Sequence, residues 1–155
     1  MQQTTIAFWS WLFPLTYIIH IAEEYFGGEG YSTYLLRVRG VHFSPVRFLV
    51  IQSVAVVLMI VGIKLARRFN FPILMIVIMG ATVLFNATTH VLSGIREGGY
   101  GPGLATSVLI WAPLGLASLV NFRNSMSARR YWMGIAIGLG INLIVAVVTM
   151  RGGQW

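Results

Sequence analysis

The chain of 155 residues is 57% hydrophobic and 10% charged, with a mean hydropathy of +0.77 and a formal net charge of +7. A soluble domain carries about 25% charged residues, and a chain this short cannot enclose so much apolar surface in a core of its own, so an ordinary soluble protein is excluded. The absence of cysteine excludes disulfides and thiolate chemistry, and basic residues confined mostly to short gaps between apolar runs exclude a nucleic-acid-binding surface.

Charges punctuate the chain. None occurs in residues 1 to 22, 48 to 63, 69 to 95, 98 to 122 or 131 to 150. A membrane-crossing helix needs roughly 20 mostly apolar residues. The runs lack the alternation of a membrane β-barrel, and only helices satisfy their own backbone inside lipid. The spacing therefore predicts an all-α, multi-pass bundle with five transmembrane helices, near 5–25, 45–66, 71–94, 103–121 and 130–149, in a single domain over 1–155.

The first helix begins after "MQQTT", which lacks the basic stretch of a signal peptide, so it is read as retained. Pro14 falls inside it and is expected to kink it. The helix ends in "HIAEEY", where His20, Glu23 and Glu24 share one face at i, i+3 and i+4. Residues 26–44 then mix Tyr, Leu, Val and Arg, as a short interfacial helix does. That segment serves either as a lid on the cluster or as a plain connector. His42, in "HFSP", has no comparable company.

Pro45 and Pro72 open the second and third helices, where a missing N–H costs nothing. The third carries "FNATTH", with Asn86 and His90 on one face. An amide and an imidazole in an apolar span are costly unless they face protein or water. "GGYGPG" is a turn into the fourth helix, and Pro113 is expected to disturb that helix. "GIAIG" at 134–138 is a GxxxG face in the fifth, open to contact with a neighbouring helix or a second copy. Trp9, Trp11 and Trp132 read as interfacial or packing residues.

Depth brings the polar groups together. His20 lies about 21 Å along the first helix and His90 about 28 Å along the third, at 1.5 Å per residue. Those helices run in the same direction, so both histidines approach one membrane face, where the "YGPG" turn also lies. The compact basic loops Lys64–Arg68 and Arg123–Arg130 lie at the other face, with the N-terminus. The positive-inside rule then places the N-terminus in the cytoplasm and the cluster near the outer face.

"HIAEE" at 20–24, a later histidine (His90) and "YGPG" at 100–103, in that order, resemble the HXXEE family of small bacterial integral membrane proteins. The resemblance runs from the first helix to the start of the fourth. It implies a helical protein of the bacterial inner membrane, of a family without an established reaction. It puts His20, Glu23, Glu24, His90, Tyr100 and Pro102 at the matching positions.

The residues themselves leave three chemistries open. His20, Glu23, Glu24 and His90 are candidate ligands for a divalent metal, zinc first and iron or manganese second. Asn86 or Tyr100 would then orient a bound water, and an amphiphilic or lipophilic substrate drawn from the membrane lipids would be hydrolysed. Without metal, the same His and Glu residues form an acid–base pair for an isomerase or cyclase. Without chemistry, the cluster is interhelical glue in a homo-oligomer, in a subunit of a membrane complex or in a lipid-ligand binder, its carboxylates paired with Arg37, Arg39 or Arg96. A variant of the first readings leaves Glu24 solvated and Glu23 alone facing inward.

Overall fold

The computed structural model describes residues 3–151, so residues 1–2 and 152–155 of the expected domain lie outside it. It is all helical among the described residues. The helices are α1 (Gln3–Phe26), α2 (Tyr31–Arg39), α3 (Pro45–Arg68), α4 (Pro72–Glu97), α5 (Leu104–Ser125) and α6 (Ala128–Met150). Five of them, all but α2, are long and apolar enough to cross a membrane. The helices outrun the expected spans at most ends, because basic and polar turns such as Lys64–Arg68 stay helical beyond the apolar stretch.

Local chemistry sets the boundaries. Ser44 accepts a hydrogen bond from the Arg47 N–H and is followed by Pro45, a side-chain cap with proline in the first turn. Ser127 caps α6 in the same way through the Arg130 N–H. Gly98 closes α4 at φ 68, where only glycine is unstrained.

α4 is the axis of the bundle. It buries Ile76, Val77, Met79 and Val83, and the other spanning helices pack around it. The close approaches rest on glycine. A Cβ at Gly138 would meet the Ile78 carbonyl at 2.6 Å and the Ala81 Cβ at 2.7 Å, and one at Gly134 would meet Val77 at 2.9 Å. The GxxxG face of α6 is thus spent on α4 within the chain and is not open to a second copy. Elsewhere the helices turn large apolar side chains outward, among them Leu109 at 74% and Ile144 at 64% exposure. So much exposed apolar surface belongs in lipid.

The irregularity expected at Pro113 takes the form of a π-helical turn, Ser107–Trp111, just before it. Such turns mark places where a helix re-aims a side chain. Pro14 lies within an unbroken α1. The α2 segment covers one end of the bundle, with Tyr34 and Leu35 buried and Leu35 packed with Phe43 and Phe48. The segment is therefore a packed helix, and Tyr31, Tyr34, Leu35 and Arg39 of it line a cavity at that end.

Gly138→Val should loosen α4 against α6, because overpacking a tight contact costs about 1–3 kcal/mol. Thermal unfolding in detergent should show a lowered midpoint. Gly140→Ala, which has nothing within 4 Å of the added Cβ, should leave it unchanged.

Candidate functional site

The polar residues meet at the end of the bundle under α2. His20 and Glu24 lie one turn apart on α1, and His90 reaches them from α4. The two imidazole rings are 5.0 Å apart between centroids and nearly perpendicular, at 84°. Glu24 Oε1 lies 3.4 Å from His90 Nε2 and 3.7 Å from His20 Nε2. His20 is 1% exposed and Glu24 3%. Ligand atoms of the three residues all lie within 4.8 Å of one another.

These separations are too long for good hydrogen bonds. The two contacts to Glu24 come close to another geometry: tetrahedral ligands at about 2.1 Å from a common centre stand about 3.4 Å apart. His20 Nε2 is buried without a hydrogen-bond partner among the described residues. A buried carboxylate so weakly compensated costs several kcal/mol. The cluster could hold a divalent cation. The backbone makes room for it at Gly103. There φ is +84°, and a Cβ would lie 2.7 Å from His90 Cε1, 2.8 Å from His20 Cε1 and 3.0 Å from Glu24 Cγ. The last residue of the "YGPG" turn must be glycine on both counts, conformation and space.

The two adjacent glutamates have different surroundings. Glu24 faces the histidines, while Glu23 lies against the first turn of α5. Glu23 accepts hydrogen bonds from the N–H groups of Ala105 (2.8 Å) and Thr106 (2.6 Å), from the Tyr100 hydroxyl (2.8 Å) and from the Thr106 hydroxyl. It thus caps a helix distant in sequence, filling donors that have no intrahelical partner. Glu23 stands outside the group that could bind a metal.

Thr106 links the two glutamates. Its hydroxyl proton goes to the charged Glu23 rather than to the Gly103 carbonyl at 3.4 Å. The oxygen must then accept from His20 Nδ1, at 2.7 Å. His20 carries its proton on Nδ1, and Nε2 keeps a lone pair toward Glu24. Ligating imidazoles are commonly held in this way by an acceptor on the far nitrogen.

Other helices complete the site. Gln52 of α3 donates from Nε2 to Glu24 Oε2 at 3.0 Å, and Tyr17 donates to Gln52 Oε1. Trp111, in the π-helical turn, stacks on His20 with centroids 3.7 Å apart and also on Tyr17 at 5.5 Å. The Pro102 main chain is a hydrogen-bond partner of the His90 ring. Asn86 lines the adjoining cavity one turn from His90. Tyr100, 51% exposed, serves Glu23 and does not line that cavity. Burial and the bond to Glu23 push the Tyr100 phenol up to about 12. His42 is exposed and apart. Arg37 pairs with Glu29 at 2.6 Å, and Arg96 lies 3.9 Å from Glu97, so neither serves the cluster.

With this geometry in view, the family comparison is decisive. Residues 11–118 match the family described as protein of unknown function with HXXEE motif. The chain belongs to the HXXEE family. No curated protein and no solved structure matches it. In this HXXEE protein the signature histidine and second glutamate, His20 and Glu24, face the cavity with His90. The first glutamate, Glu23, anchors the turn that follows α4. The match ends before α6, which supplies one cavity wall.

Gln52, Thr106, Tyr17 and Trp111 were not among the residues expected at the site. Gln52 alone left a trace, as an amide in the uncharged and mostly apolar run 48 to 63.

Two variants test this arrangement. Gly103→Ala should disrupt the cluster while helix content by circular dichroism stays unchanged. Tyr100 should also show at alkaline pH. Its folded pKa is raised, so the stability it lends is full below about pH 10 and is lost as pH climbs toward 12. Tyr100→Phe should flatten that part of the stability profile relative to the parent protein. Identical profiles would contradict the Tyr100–Glu23 bond.

Proposed function

We propose that the protein is a membrane-embedded hydrolase in which His20, Glu24 and His90 hold one divalent metal ion, zinc first and iron or manganese second. The observation that carries this reading is the buried, unpartnered Nε2 of His20 beside Glu24 and His90, at separations suited to tetrahedral ligation. Two imidazoles and one carboxylate leave a fourth position for water, as in hydrolytic zinc sites.

The metal would make that water acidic. It would supply hydroxide for the hydrolysis of an ester or amide, the first proton passing to bulk water: the acyl carbon would gain the oxygen as its bond to the leaving oxygen or nitrogen breaks, and the remaining proton would end on the leaving group, giving a carboxylate. Thr106 and Glu23 hold the His20 ring, and Gln52 holds Glu24. Asn86 stands within the cavity to orient the acyl oxygen. The substrate is amphiphilic, since the cluster lies near a helix end, within reach of both lipid and water. The basic loops at the opposite end favour a cytoplasmic N-terminus and a site toward the outer face of the inner membrane.

Elemental mass spectrometry on untagged protein, purified in detergent without chelator, tests this proposal. About one metal per chain is expected. His20→Ala, Glu24→Gln and His90→Ala should each lose it. Thr106→Val should weaken affinity about 10- to 100-fold, because it removes the support of one ligand. Absence of metal, or metal retained in all three ligand variants, would leave acid–base chemistry by Glu24 and the imidazoles as the surviving alternative.

A further inference from the structure

We infer that the cavity beside His20, Glu24 and His90 takes a single-chain amphiphile with an anionic headgroup, which enters sideways from the bilayer between α3 and α6 and sets its headgroup at Arg39. This names the substrate class for the hydrolytic site and rests on that reading for the fate of the ligand. The binding argument stands on separate observations.

The first is the shape of the cavity. Its volume is about 230 Å³, less than the roughly 300–1,000 Å³ of pockets that enclose a whole small ligand. It can surround the reacting bond and the first part of a chain, and the remainder must lie outside. The walls say where. Phe48 and Ile51 of α3 form one side, and Val145, Ala146 and Met150 of α6 form another. Both helices pack on α4 rather than extensively on each other. Beyond these walls lie outward-facing apolar residues, Val50 and Val54 on α3 and Leu143 and Val147 on α6. A tail leaving the cavity between the two helices therefore stays in apolar surroundings. At the helix ends the Arg47 guanidinium reaches the Val148 carbonyl at 3.3 Å, which ties α3 to α6 beside the opening.

The second observation is charge. Four side chains lining the cavity can carry charge: His20, Glu24 and His90 in the cluster, and Arg39 on the α2 lid. Arg39 forms no ion pair among the described residues, whereas its neighbour Arg37 is occupied by Glu29. Tyr31, also on the cavity wall, lies within the electrostatic reach of both Arg39 and Glu24. The cation thus lines the same cavity as the cluster, on α2, where a headgroup would be covered. A carboxylate or phosphate there gains a guanidinium partner. The cluster then sits between the headgroup and the tail, where an acyl bond joins them.

The third is the division of the chain. The cluster lies within residues 11–118, the part matched to the family, whereas the wall from Asn142 to Met150 lies beyond it. One of the two walls of the tail path thus lies outside the matched segment and can be altered without touching a ligand residue.

Photolabelling of the full protein in lipid nanodiscs tests the inference. The probes are a long-chain fatty acid with a diazirine beside the headgroup, on the part of the chain the cavity surrounds, and its alcohol and quaternary-ammonium counterparts. Labelled residues are read by mass spectrometry. The fatty acid should label Ile51, Val145 or Ala146 about tenfold more than either counterpart, as one charge-assisted contact implies. Arg39→Gln, at an exposed position, should erase that preference. Ala146→Trp should block labelling while metal content stays unchanged. Displacement by unlabelled fatty acid or by lysophosphatidate would distinguish a carboxylate from a phosphate headgroup. Equal labelling by all three probes, labelling spread over Leu143 and Val147, or displacement by neither competitor would overturn the inference. Labelling requires no hydrolysis, so the expected pattern on metal-free protein would sink the hydrolytic reading and leave this one standing.

Discussion

The carboxylate of Glu23, held against the first turn of α5, is the contact on which the rest of the site depends. A charge near the end of a membrane helix is tolerable only with partners, and Glu23 has four donors. Two are main-chain N–H groups that the start of α5 would otherwise leave unfilled. The bonds tie α1 to α5 across more than eighty residues of sequence, and hydrogen bonds to a charged group contribute about 1.5–3 kcal/mol each. They also fix Thr106 beside His20. A surface interaction in origin, a helix cap, thus reaches the interior through one hydroxyl.

Its neighbour has the opposite condition. Glu24 is more deeply buried than Glu23, yet its one good hydrogen bond is from Gln52. The imidazoles stand 3.4 and 3.7 Å from the carboxylate, too far for good hydrogen bonds. The bundle thus gives Glu23 four donors and Glu24 one good donor among the described residues. The consecutive positions make this division possible, because residues about 100° apart around a helix face different neighbours.

Much of this could be read from the sequence, for physical reasons that also set the limit. Lipid forbids charge along a span, so gaps between charged residues mark the helices. A constant rise per residue put His20 and His90 toward the same membrane face, and the i, i+4 spacing put Glu24 beside His20. The division between Glu23 and Glu24 was not legible, because it depends on where the start of α5 docks. Thr106 and Trp111 gave no signal: a threonine and a tryptophan in an apolar run are ordinary there, and the π-helical turn that aims Trp111 at His20 has no pattern of its own. The glycines of α6 read correctly as a contact face but not by partner, since a small-residue stripe fits α4 or a second copy equally well.

The most direct measurement is the tautomer of His20, by nitrogen-15 NMR of the ring in metal-free protein in detergent, with His20 assigned by comparison with His20→Ala. The account predicts a proton on Nδ1 and a bare Nε2, shifting toward the Nε2–H form when Thr106→Val removes the acceptor. An Nε2–H tautomer in the parent protein, or a tautomer indifferent to Thr106, would contradict it.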